Sequence, residues 1–210
     1  MKGEFDMEKN KKRIVLILFI LFASLLYESA RLYGAESTVI GNAAKSDPAG
    51  NRGIPTIDLP LPVSEQEKSY LGLSGAGNFK IGQIKAPVLI IQVYSYYCPH
   101  CQKSASQVND LYGLIQRRPD IREKIKMIGV GVGNSAYEVE SYRKRYNVPF
   151  PLFPDVSNDF SLQLGVKGTP TFVGLKMNSK GVQEHFFFLE GGFQDINKLL
   201  DEIVRLSGLK

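Results

Sequence analysis

Cysteine occurs only twice in these 210 residues, as Cys98 and Cys101, and the place where the pair stands limits what the chain can become. Before it runs Val88-Leu89-Ile90-Ile91-Gln92-Val93, apolar and β-branched, the pattern of a strand buried on both faces. After it, Gln102 to Arg117 carries Val108, Leu111, Tyr112 and Ile115 at helical spacing. The pair therefore sits where a buried strand ends and a helix begins. A Cys-x-x-Cys in that setting points to redox chemistry. As a static crosslink it would close a very short loop and constrain little of the unfolded chain.

The chemistry follows from the position. The nucleophilic form of cysteine is the thiolate. Backbone N–H groups at a helix start are unpaired and stand at the positive end of the helix dipole, so both favour an anion there. Cys98 falls at that end. Pro99 takes the first helical position, where its missing N–H costs nothing. Cys101 lies three residues on, on the same face and within bridging reach. Cys98 is thus expected to be the exposed attacking thiol and Cys101 the buried resolving thiol. Pro99 and His100 are the residues expected to tune them, His100 by placing a donor or partial positive charge beside the thiolate. Stabilising the reduced, anionic form makes the disulfide a stronger oxidant.

The rest of the chain frames this unit. Residues 1–35 read as a signal peptide or an N-terminal membrane anchor: Lys11-Lys12-Arg13 precede the apolar run Ile14 to Tyr27, which Glu28 stops. The run is short of the roughly twenty residues a bilayer crossing needs, and the nearest cleavage site, Tyr33-Gly34-Ala35, has a bulky outer residue. Cleavage and retention both stay open. Either way the basic cluster keeps its end in the cytoplasm and sends the rest to the exported face, a periplasmic or envelope location. Residues 36–53, rich in Ala, Gly, Asn and Ser, read as a flexible linker. Residues 54–210 form the folded domain, long enough for one full core.

Within that domain, Gly53 to Val63 with Pro55, Pro60 and Pro62 is expected to be extended and to pack along an edge. Glu65 to Leu73 is expected as a short helix, and Phe79-Lys80-Ile81 as a short strand. Ile125 to Val132 reads as a second buried strand, followed by a cap at Gly133-Asn134-Ser135 and a helix over Ala136 to Tyr146. A short extended piece spans Pro149 to Pro154, and a short helix Asp159 to Leu164. Thr171 to Met177 and Val182 to Leu189 read as a hairpin around Asn178-Ser179-Lys180-Gly181. Asp195 to Leu206 is strongly amphipathic. The order β-α-β-α, then β-β-α, implies an α/β fold: a mixed central sheet flanked by helices.

Composition excludes some classes. The net charge of +5 is spread thinly beyond the basic start, with no basic stripe and interleaved aromatics, so nucleic acid is not an expected partner. Two cysteines and two histidines, His100 and His185, do not make a structural zinc site, and no cofactor or metal is expected.

With Cys98-Pro99-His100-Cys101 after a strand, and Gly165-Val166-Lys167-Gly168-Thr169-Pro170-Thr171-Phe172 far along the chain, residues 55 to 210 resemble the thioredoxin superfamily. The resemblance implies a thioredoxin-like fold and thiol–disulfide exchange. It also implies a cis proline at Pro170 facing the disulfide, and a Thr169 backbone that pairs with the substrate peptide. The strand–helix segment from about Gly131 to Asp155 resembles the insertion of exported, membrane-linked TlpA/ResA-type thioredoxins, which are related to the AhpC/TSA redoxins. By family analogy the partners are protein thiols or disulfides of the cell envelope and a membrane redox protein that recycles the dithiol. The Pro-His dipeptide is more typical of periplasmic disulfide-forming oxidases.

Two positions depart from the family pattern. Gln92 stands where many thioredoxins have a buried aspartate, so proton handling falls to water or another acid, for which Glu140 and Asp155 are the candidates. Tyr97 stands where a tryptophan is usual. Two other functions stay open. A peroxiredoxin-like antioxidant peroxidase is suggested by Ser95 three residues before Cys98, although Ile91 replaces the expected proline. A copper chaperone would use both thiolates and a histidine, although the cysteine spacing is two rather than three.

Overall fold

The computed structural model describes residues 54–177 and 183–209. The signal or anchor segment, the linker and the turn at 178–181 lie outside them. In chain order the elements are β1 (Leu59–Pro60), α1 (Glu65–Leu71), β2 (Asn78–Phe79), β3 (Val88–Tyr94), α2 (Pro99–Arg117), β4 (Ile125–Val132) and α3 (Ala136–Tyr146). There follow β5 (Leu152–Asp155), α4 (Asp159–Gln163), β6 (Thr171–Met177), β7 (Gln183–Glu190) and α5 (Ile196–Ser207).

Five strands form one mixed sheet in the order β5-β4-β3-β6-β7. β3 runs parallel to β4, from Val88 beside Ile125 to Tyr94 beside Gly131, and β5 runs parallel to β4. β6 is antiparallel to both β3 and β7. The expected mixed α/β sheet is therefore present. The central strand β3 is buried at every residue, which explains its unbroken apolar sequence: a strand covered on both faces has no polar side to show.

The two faces build two cores. Val88, Ile90 and Tyr94 of β3 point into one, closed by Val108 and Leu111 of α2, Tyr142 of α3 and Leu200 of α5. Leu89, Ile91 and Val93 point into the other, with Leu71 of α1 and Phe160 of α4. The segment Gly131 to Asp155, set apart in the sequence as an insertion, adds α3 to the first face and β5 to the edge of the sheet.

The proline-rich lead-in packs along the edge strand β5, as expected, but does not pair with it. Leu59–Pro60 pairs with Asn78–Phe79 as a separate two-stranded sheet, and the Phe79 ring packs on Phe153 of β5 at 5.3 Å. The strand expected over Phe79-Lys80-Ile81 ends at Phe79, and Ile81–Gln83 is a 3-10 turn. The Gln83 side chain accepts the Lys80 N–H at 2.7 Å and closes that turn. Among the described residues no helix is long and apolar enough to cross a membrane.

Gly174 marks a tight point at the bulge where β6 meets β7. A Cβ there would lie 2.7 Å from Cβ of Phe187 and 2.8 Å from the Phe186 ring. Cβ of Phe187 is fixed to the backbone and cannot swing away. Gly174→Ala is expected to destabilise the fold by about 1–3 kcal/mol, the usual cost of overpacking, read as a lower urea midpoint with unchanged slope.

Candidate active site

The parallel pairing of β3, β4 and β5 brings their C-terminal ends to one end of the sheet. The turn after β3 carries the cysteines. Cys98 is the N-cap of α2, with extended backbone at φ −81° and ψ 114°, and Pro99 opens the helix. The Cys98 sulfur accepts the Cys101 N–H at 3.4 Å, and its thiol donates to the Thr169 carbonyl at 3.3 Å. The Thr169–Pro170 peptide bond is cis. Thr169 is half-buried and Pro170 buried. Gly191 N–H donates to the Pro170 carbonyl at 2.8 Å, which ties the segment before β6 to the end of β7.

The two sulfurs differ sharply. Cys98 is partly exposed, and Cys101 is fully buried on the inner face of α2. Partial burial pushes the Cys98 thiol up, but hydrogen bonding with the Thr169 and Cys101 side chains and with the N–H groups of Cys101 and His100 outweighs it. The net result lies below the ordinary thiol value. Burial pushes the Cys101 thiol up to about 12, and the adjacent Cys98 sulfur adds to the rise. Both thiols are free. Of the two sulfurs, Cys98 is the one that ionises more readily, and Cys101 is the one that holds its proton.

His100 and Pro99 are exposed. His100 supports the thiolate as a donor through its backbone N–H. Its side chain lines a groove of about 410 Å³ with Thr169, Pro170, Gly191, Gly192 and Phe193. Neither that groove nor a larger cavity of about 630 Å³ around Tyr70, Tyr112 and Arg143 has a cysteine in its lining, but the groove includes Thr169, whose carbonyl meets the Cys98 thiol. His185 is buried in β7 opposite Leu175.

Both acids considered for proton handling are held by other partners. Asp155 is buried, but its two oxygens accept the Phe160 and Ser161 N–H groups at 3.2 and 2.9 Å and so cap α4. Glu140 pairs with Arg143 at 3.2 Å and with Lys144 at 3.6 Å. Gln92 is 2% exposed, on the α2-facing side of β3.

Sequence reasoning missed the residues that hold the cysteine turn in place. Asn134, buried just past β4, accepts the Tyr96 N–H on Oδ1 at 2.7 Å. Gln102 donates to the Tyr96 carbonyl at 2.8 Å, so both backbone polar groups of Tyr96 are fixed by side chains. The Tyr97 hydroxyl donates to Glu138, whose other oxygen accepts the Ser135 N–H at 2.7 Å and completes the start of α3. Tyr142 of α3 donates to the Cys101 carbonyl at 3.0 Å. The available signal was topological: once β3 and β4 are read as parallel neighbours, the residues just past β4 must stand beside the cysteine turn.

Residues 87–180 match a family model described as thioredoxin-like. The thiol-disulfide oxidoreductase ResA of Geobacillus thermodenitrificans is 22% identical over 176 residues, covering 82% of this chain and 86% of that protein. A crystal structure assigned as a thiol:disulfide interchange protein DsbE, from Chlorobium tepidum, superposes with a TM-score of 0.53 at 17% identity, covering 75% of this chain and 99% of that one. The thioredoxin domain of a thiol-disulfide oxidoreductase from Bacteroides vulgatus superposes with a TM-score of 0.51 at 10% identity, covering 78% and 97%. The two structural likenesses establish the fold.

The asymmetry of the sulfurs is directly testable. Reduced protein treated with a limiting alkylating agent at neutral pH is expected to carry one label, on Cys98, by peptide mass mapping. Because the Cys98 thiol lies below its ordinary value, its labelling rate is expected to hold at pH values where a free thiol of pKa about 8.5 slows, and to fall only at lower pH.

Proposed function

For a chain that belongs to the thioredoxin superfamily, among its ResA-like members, we propose that Cys98 and Cys101 exchange disulfides with protein substrates of the cell envelope. Cys98 is the attacking sulfur of this thiol–disulfide oxidoreductase. Its thiolate attacks one sulfur of a client disulfide, a mixed disulfide forms, and the other client sulfur leaves as a thiol. Cys101 then attacks Cys98 and releases the second client thiol. The reverse sequence oxidises a client dithiol.

The observation that carries this reading is the difference between two sulfurs one helical turn apart, with Cys98 favoured as an anion and Cys101 held as a buried thiol. That division suits an attacking and a resolving group. The groove beside His100, Thr169 and Pro170 gives a client segment a place to lie against Thr169, whose carbonyl meets the Cys98 thiol.

The client class and location rest on the sequence. The basic cluster and apolar run at residues 11–27 support export of the domain at 54–210, held by an anchor or released by cleavage. An exported dithiol needs a membrane redox partner to reset it after each turnover. The substrate class is therefore envelope proteins with paired thiols.

A peptide with one internal disulfide tests the chemistry. Cys98→Ser is expected to lose exchange entirely. Cys101→Ala is expected to attack once and accumulate as a mixed disulfide through Cys98, visible as a reductant-sensitive mass shift. Exchange that survives in Cys98→Ser would overturn the assignment.

A further inference from the structure

Cys101 must lose its proton to resolve the mixed disulfide, yet it is fully buried and its thiol holds that proton tightly. The acids suggested by the sequence are committed elsewhere. Two phenols, Tyr94 and Tyr142, belong to the core that Cys101 joins. Tyr94, at the end of β3, is 0% exposed and shares with Cys101 the core on the inner face of α2. Its ring is seated over Gly129 of β4, where a Cβ would come within 3.2 Å of it. It packs on Tyr142 of α3 with ring centroids 4.4 Å apart. Tyr142 in turn donates to the Cys101 carbonyl. The Tyr94 hydroxyl, by contrast, is buried with no hydrogen-bond partner among the described residues. A buried hydroxyl left without a partner is uncommon and calls for an explanation.

We propose that Tyr94 is the hydrogen-bond donor that receives the Cys101 thiolate during resolution, and that Tyr142 is a positioning residue that holds Cys101 and the Tyr94 ring in register. This rests on the thiol–disulfide reading above and adds residues outside the Cys-x-x-Cys turn and the Thr169–Pro170 segment. Both phenols interact electrostatically with Cys101, and burial pushes both far above the ordinary phenol value, so each keeps its proton throughout. Tyr94 is therefore a donor and never the base.

The step balances without any further reagent. Cys101 gives up its proton as its sulfur attacks Cys98. The Cys101–Cys98 bond forms, the bond from Cys98 to the client sulfur breaks, and the departing client thiolate takes up a proton. The client disulfide is reduced to two thiols and the enzyme dithiol is oxidised. A hydrogen bond from Tyr94 stabilises the negative sulfur at the moment it exists, while Glu140 and Asp155 are held by other partners. Gln92 is the other buried donor on this side of β3, with its amide nitrogen also unpartnered among the described residues, and it is the competing candidate.

Tyr94→Phe and Tyr142→Phe each remove one oxygen and keep the ring pair. Each folded variant is to be loaded as the Cys98 mixed disulfide with a small aromatic thiol, and release of that thiol followed by its absorbance. Separately, the rate of Cys98 alkylation reports the attacking sulfur. Release is expected to slow about tenfold in Tyr94→Phe, the loss typical of a hydrogen bond to a charged group, and to slow in Tyr142→Phe as well. Cys98 alkylation is expected to stay within about twofold of the parent. If Tyr94→Phe does not fold, Tyr142→Phe decides on the same readout. Release within about threefold of the parent in the deciding variant overturns the proposal. So does slowing in Gln92→Leu with none in Tyr94→Phe. Loss of Cys98 alkylation in the parent itself would instead strike the thiol–disulfide reading.

Discussion

The N–H groups at the start of α2, directed at the sulfur of Cys98, are the interaction on which the site depends. They exist because a helix leaves its first donors unpaired. They are available to Cys98 because Pro99 begins the helix at once and needs no partner. The same turn sends Cys101 into the core, where burial works against its ionisation. One helix start thus separates two chemically identical side chains into an anion-prone group and a proton-holding group. Thr169, brought in from before β6, completes the surroundings of the first.

The sheet explains why these parts meet. Parallel strands end on the same side, so the turn after β3 and the segment leading into α3 are neighbours although well separated in sequence. Asn134 and Glu138 take hold of the peptide and side chain just before Cys98, and Tyr142 takes hold of Cys101. The strand–helix segment past β4 is thereby part of the active-site scaffold. β6 runs the other way, so its start, with Thr169 and Pro170 just before it, faces the same end.

Much of this was legible in the sequence. β4, α3 and β6 have the expected bounds, because continuous apolar runs and a Ser135 cap with Glu138 three residues on are strong local signals. The mixed sheet and the placing of Cys98 before a helix-starting proline follow from the same signals. The helix at Glu65–Leu71 was legible, but the pairing of the two short strands around it was not: strands of two residues have no period to read, and their pairing is decided by the burial of Leu59 and Phe79. The group of His100 that reaches Cys98 is its own backbone N–H, which a sequence does not display. Asn134, Tyr94 and Tyr142 look like ordinary turn and core residues until the fold sets them around the cysteines.

A stabilised thiolate has one thermodynamic consequence above all. Whatever favours the anion on Cys98 favours the reduced form of the pair and makes its disulfide more oxidising. The most direct measurement is the reduction potential of the Cys98–Cys101 couple, set by equilibration with glutathione. The account predicts a value clearly above that of thioredoxin, about −270 mV. A value at or below that of thioredoxin would contradict the claim that the start of α2 stabilises Cys98 as an anion.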